Sequence, residues 1–105
     1  MHTKDTLLRE IKKRVQKVAP GAEVYLYGSR ARGEENSESD WDVLILVDKD
    51  KVDYAFEKEI TYPLYDLEFA SGEIISPRVY PKKTWHVKHK GTPFYEHISP
   101  DLIAL

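Results

Sequence analysis

Two short segments of this 105-residue chain carry residue types that can do chemistry together: Gly28-Ser29 and Asp40-Trp41-Asp42, with ten residues between Ser29 and Asp40. Gly28-Ser29 follows a stretch that reads as a strand, and Asp40 to Asp42 opens another. In a strand, side chains at i and i+2 point to one face, so Asp40 and Asp42 project together. Two adjacent carboxylates repel each other and raise a pKa unless a cation lies between them. Mg²⁺ answers this need, because it prefers oxygen ligands, retains waters and takes phosphate oxygens as its remaining partners. Gly28 lets a backbone approach a phosphate closely. The NH groups that follow, at the start of a helical turn, favour an anion, and the Ser29 hydroxyl can donate to a phosphate oxygen. Arg30 and Arg32 add positive charge nearby, and a guanidinium binds phosphate in bidentate fashion. An anion cradle and a dicarboxylate cation site joined by a short loop form a layout for metal-assisted phosphoryl or nucleotidyl transfer.

Each of these residues also has an ordinary structural use. Gly28 serves as a turn residue, Ser29 as a helix cap and Asp40 as a turn residue before a strand. Asp42 is harder to explain in that way, because it opens a strongly apolar strand where Asp is disfavoured. The order and spacing of the set, more than any one member, point to a site.

The elements that must position the set follow from periodicity. Residues 4–18 read as an amphipathic helix with Leu7, Leu8, Ile11, Val15 and Val18 on one stripe, Thr3 as N-cap and Pro20-Gly21 beyond its end. Glu23 to Tyr27 alternates as a strand, and Arg30 to Ser39 reads as a helical turn and a loop. Trp41 to Val47 reads as a second strand, and its continuous apolar run from Val43 predicts a central strand covered on both faces. A long helix is expected from a cap at Asp48 or Asp50 to about Ser71, with Val52, Phe56, Ile60, Leu64 and Leu67 as its stripe. Pro63 is expected to break or kink it, and Gly72 to end it. Glu73 to Tyr80 reads as a third strand, where Pro77 calls for an edge or a bulge. Short helices are expected at Lys82 to His86 and Pro93 to Ile98. The fold class is α/β (α+β), a small mixed sheet flanked by helices, and residues 1–105 read as a single domain.

The bulk numbers bound the function. The chain is 41% hydrophobic and 32% charged, with a formal net charge of −2, so it reads as globular and direct nucleic-acid binding is not expected. It has no cysteine, which excludes disulfides and thiolate metal sites. The longest apolar run, Val43 to Val47, is too short to span a bilayer, and the N-terminus lacks an apolar signal region. The expected location is the cytoplasm. His86, His89 and His97 read as surface residues, and Lys82, Lys83, Lys88 and Lys90 as a solvated basic face.

Gly28-Ser29, ten residues, then Asp40-x-Asp42 resembles the G-S-x10-D-x-D signature of the DNA polymerase β-like nucleotidyltransferase superfamily. The string from Gly28-Ser29-Arg30-Ala31-Arg32-Gly33 to Asp40-Trp41-Asp42-Val43 is similar to the minimal nucleotidyltransferases of bacteria and archaea. The resemblance implies Gly28 and Ser29 on a triphosphate, Asp40 and Asp42 as ligands of Mg²⁺ in a two-ion site, and transfer of a nucleoside monophosphate, with ATP the favoured donor. It also implies an antitoxin-like role beside a HEPN-type protein partner. The superfamily usually carries a third carboxylate on the next strand. Here the register puts Ile74 or Ser76 at that place, and Glu73 is the neighbouring candidate if a bulge at Pro77 re-aims it. Without a third acid, the alternative is a nucleotide-binding module of little or no activity that acts on its partner by contact.

Overall fold

The computed structural model describes residues 4–36 and 38–105. Helix α1 spans Lys4–Val18 and buries Leu7, Ile11 and Val15 from its apolar stripe. The expected cap at Thr3 lies outside the described residues. Strand β1 is Glu23–Tyr27, helix α2 is the single turn Ser29–Arg32, and strand β2 is Trp41–Val47. Helix α3 spans Tyr54–Ser71, strand β3 Ile75–Pro81, helix α4 Lys82–Val87 and helix α5 Pro93–Ile98; a 3₁₀ turn at Ser99–Asp101 leads to a two-residue strand β4, Ile103–Ala104.

The sheet runs in the order β3-β2-β1-β4. β2 pairs antiparallel with β1 and parallel with β3, so the expected mixed sheet flanked by helices is found. Because β2 is central, its alternate residues go to opposite cores. Val43, Ile45 and Val47 join α1 and α3 on one face, through Leu7, Ile11, Val15, Ile60, Leu64 and Leu67. Leu44 and Leu46 face the other way, toward Tyr27, Trp85 and Ile98. The continuous apolar run thus reflects two half-strand patterns superimposed. None of the described helices is long and apolar enough to cross a membrane.

Four details depart from the expectations. The cap of α3 is Asp53, whose carboxylate accepts from the Phe56 amide at 2.8 Å. Asp48 instead pairs with Lys82 at 3.1 Å. Helix α3 runs through Pro63 without a break, so the break half of that expectation is not met. Buried Ile60, Leu64 and Leu67 lie on both sides of the proline, and their burial outweighs the roughly 3 kcal/mol that an interior proline costs. Strand β3 starts at Ile75, two residues later than expected. Residues 72–74 are spent leaving the helix, with Gly72 at φ +76° and the Ile75 amide donating to Glu68 at 3.0 Å. Its pairing with β2 is continuous from Trp41↔Ile75 to Val47↔Pro81, so Pro77 is accommodated by the edge position and not by a bulge. Strand β4 was not expected, since two residues show no period.

The cap assignment is testable by chemical denaturation. Asp53→Ala is expected to lower stability by about 1 kcal/mol, the usual loss for a capping carboxylate. Asp50→Ala should stay within about 0.5 kcal/mol of the parent, as surface substitutions do. The reverse order would return the cap to Asp50.

Candidate functional site

The site lies at one end of the β1–β2–β3 strands. Tyr27, the last residue of β1, pairs with Asp42, and Ser76 of β3 is its partner on the other side. Directly paired residues share a face. Asp42 is therefore flanked by Tyr27 and Ser76, on the face that also carries Leu44 and Leu46. The chain leaves β1 through Gly28, at φ +80°, and enters α2. A Cβ placed on Gly28 would collide with Oδ2 of Asp42. The carboxylate thus stands directly against the turn, in a space that only glycine leaves open.

Gly28, Ser29, Arg32 and Asp42 line one open cleft of about 870 Å³, whose far wall is Ser76, Arg78, Tyr80 and Phe94, with His97 and Asp101 at its side. Asp40 stands on the exposed rim and accepts a hydrogen bond from the Ser76 hydroxyl at 3.1 Å. The like charge of Asp40 is felt at Asp42. Burial first, then Asp40, raises the Asp42 pKa above the ordinary aspartate value, while Arg78 and Arg32 oppose the rise. Tyr27 is raised as well, chiefly by burial and then by the Asp42 charge, so its hydroxyl stays neutral. As α2 is one turn long, its contribution to anion binding is the set of amides at its start that lack helical partners, not a macrodipole.

Two of the expected residues are placed elsewhere. Arg30 is buried, and its Nε and Nη2 donate to the Ser39 carbonyl at 2.9 and 2.8 Å. Its guanidinium lies 3.9 Å from the centre of the Trp41 ring. Glu73 accepts from Trp41 Nε1 at 3.1 Å and lies 3.6 Å from Arg30. Trp41 belongs to the core on the α1 and α3 side, opposite the cleft face. Arg30 and Glu73 therefore brace the loop that carries Asp40, and the structure does not bring either to the cleft. The parity of β2 explains this: Trp41 and Asp42 are neighbours and must face apart. Arg32 does reach the cleft, but it is held by Glu34 at 2.6 Å and Asp101 at 2.9 Å.

The donor set fits one divalent cation held by Asp40 and Asp42, with the remaining ligands drawn from water and phosphate. Among the described residues no group of three or more acids or histidines is gathered to hold a metal. The cleft-wall residues Arg78, Tyr80, Phe94 and Asp101 were not marked in the sequence. The signal for Arg78 was its spacing of two from Ser76, which puts both on the Asp42 face.

Desolvation of Asp42 makes its ionised form unfavourable in the folded chain. With the folded pKa above the unfolded value, stability falls as pH rises through that window and stays low above it. Without divalent metal, Asp42→Asn is expected to melt at a higher temperature than the parent at pH 7. The gap should close as pH drops into the ordinary aspartate range. Equal melting curves from pH 3 to pH 8 would mean that the carboxylate is fully solvated.

Residues 8–88 match the family described as "Nucleotidyltransferase domain", a span that includes Gly28, Ser29, Asp40, Asp42 and the whole of β3. No curated protein and no solved structure gives a significant match to the chain. The mixed sheet flanked by helices agrees with the polymerase β-like nucleotidyltransferase fold. With most of its length matched and the glycine-serine turn set against the paired aspartates, the chain belongs to the nucleotidyltransferase domain family, and general nucleotidyl transfer is its chemistry.

Proposed function

We propose that the cleft binds a nucleoside triphosphate with Mg²⁺ and transfers the nucleoside monophosphate to a hydroxyl of a protein partner, pyrophosphate leaving. The observation that carries this reading is the contact between Gly28 and Asp42, which sets a bare backbone turn and a carboxylate within reach of one phosphate chain. Gly28 and Ser29 hold the phosphates, Asp40 and Asp42 hold the cation, and Arg32 adds charge when released from Asp101. The bound Mg²⁺ supplies charge neutralisation at the phosphates. ATP as donor and a HEPN-type protein as acceptor are supported by the likeness of the Gly28 to Val43 string to minimal nucleotidyltransferases. An antitoxin-like role follows from the same likeness.

One observation favours a second reading. Opposite Asp42, β3 presents Ser76 and not an acid. A site with two carboxylates has less capacity to take the proton of an attacking hydroxyl, so the protein would bind nucleotide and control its partner by contact.

Incubation with ATP labelled at the α-phosphate, Mg²⁺ and a HEPN-type partner separates the two. Label is expected on the partner, with Asp42→Ala reducing the rate at least about 100-fold, the scale of losing a charge-stabilising group. An unlabelled partner whose neutralisation survives Asp42→Ala would support the contact reading and remove the enzymatic one.

A further inference from the structure

The three arginines near the cleft are unequal. Arg30 is committed to the Ser39 carbonyl and to Trp41 behind the sheet. Arg32 is neutralised by Glu34 and Asp101. Arg78 is different: it lines the cleft, is exposed, and has no carboxylate within ion-pairing distance among the described residues. Its guanidinium is steadied from the side, 4.7 Å from the centre of the Phe94 ring. The Tyr80 and Tyr27 hydroxyls further favour its charged form. A guanidinium has five N–H donors, so contacts with the Tyr80 and Tyr27 hydroxyls still leave donors for an anion.

Its position in the sheet gives that anion a place. Arg78 pairs with Leu44, so it stands on the same face as Asp42 and one step further along β3 than Ser76. Ser29 lies on the β1 side of Asp42, and Arg78 lies on the β3 side. Two strand spacings separate those walls by about 10 Å, the span of an extended triphosphate with its oxygens. A phosphate chain laid from Ser29 toward Arg78 crosses directly over the carboxylates. Such a chain brings several negative charges beside the carboxylates of Asp40 and Asp42. A fixed positive charge on the far wall is what the balance lacks.

We propose that Arg78 is a phosphate-binding residue of the cleft, taking the end of the polyphosphate chain remote from Ser29 and supplying positive charge opposite the two carboxylates. The inference rests on the cleft being a nucleoside triphosphate site. Arg78 is then a specificity residue for the length of the phosphate chain. Triphosphates reach it and monophosphates do not.

Calorimetric titration of ATP, AMP and inorganic tripolyphosphate into the full chain with Mg²⁺ tests this, using Arg78→Gln and Arg78→Lys, with Asp42→Ala as a reference. Melting curves check that each variant is folded. Arg78→Gln is expected to weaken ATP and tripolyphosphate by a similar factor of at least about tenfold, as loss of a charge-assisted bond does, and to leave AMP nearly unchanged. Arg78→Lys should recover part of the loss, and the salt dependence of ATP binding should become shallower in the Gln variant. ATP binding that responds to Asp42→Ala but not to Arg78→Gln would overturn the assignment of Arg78 and leave the nucleotide site standing. Arg78-dependent binding of tripolyphosphate with no added affinity for ATP would uphold Arg78 and sink the nucleotide reading. Absence of all binding would sink both.

Discussion

The contact of the Asp42 carboxylate with the bare backbone of Gly28 is the constraint on which the rest of the site depends. The antiparallel pairing of Tyr27 with Asp42 brings the end of β1 beside the start of β2. The turn after Tyr27 must then pass a side chain that already fills the available space. Glycine meets both demands, since it accepts φ +80° and has no Cβ to collide. The phosphate turn and the acid pair are therefore one piece of geometry. A shift of register by one residue would turn Asp42 into the α1 and α3 core and leave Trp41 in the cleft.

The other face of β2 holds that register in place. Trp41 is buried among the core residues, and its ring carries the Arg30 guanidinium while its Nε1 donates to Glu73. Arg30 in turn grips the Ser39 carbonyl, one residue before Asp40. A residue of α2 is thus tied to the far end of the loop that joins α2 to β2. Arg30 and Trp41 are buried, so removing a partner of either leaves a buried polar group without its bond, which costs more than the intact bond gains. This brace is specific in position and only modest in net stabilisation. Its effect is to fix where Asp40 and Asp42 begin.

Much of this was legible in the sequence. The spacing of Gly28-Ser29 and Asp40-x-Asp42 marked the cleft, and the stripe of α1 and the apolar run of β2 marked its support. What was not legible turns on single residues whose partners are distant in the chain. Whether Glu73 or Ser76 faces Asp42 depends on where β3 begins, and that is set by Gly72 and by the bond from the Ile75 amide to Glu68. No local pattern encodes such a start. The same holds for Arg30, whose proximity to the motif suggested phosphate but whose burial against Trp41 is a tertiary outcome. Strand β4 exists because β1 offers it an edge: Tyr25 and Leu26 pair with Ala104 and Ile103, and the Leu105 amide donates to Val24. Its consequence reaches the cleft, since the turn before it sets Asp101 against Arg32.

The charges of the cleft are arranged against the stability of the empty fold. Asp42 is partly desolvated and sits beside a like charge that Arg78 only partly offsets, and among the described residues Arg78 has no carboxylate within ion-pairing distance. Each alone is a local loss that a site optimised for stability would remove. Together they leave an unmet cation requirement at the strand end and an unmet anion requirement on the far wall. A ligand that carries both, a polyphosphate with its divalent cation, satisfies the two at once. Its binding free energy is then added to the folded state alone. The double-sided core of β2 is what allows this, because Leu44, Ile45 and Leu46 remain fully buried whatever the state of the acids at the strand's end. Fold stability and site charge are thereby separated along one strand, with the apolar run securing the first and the two aspartates free to serve the second.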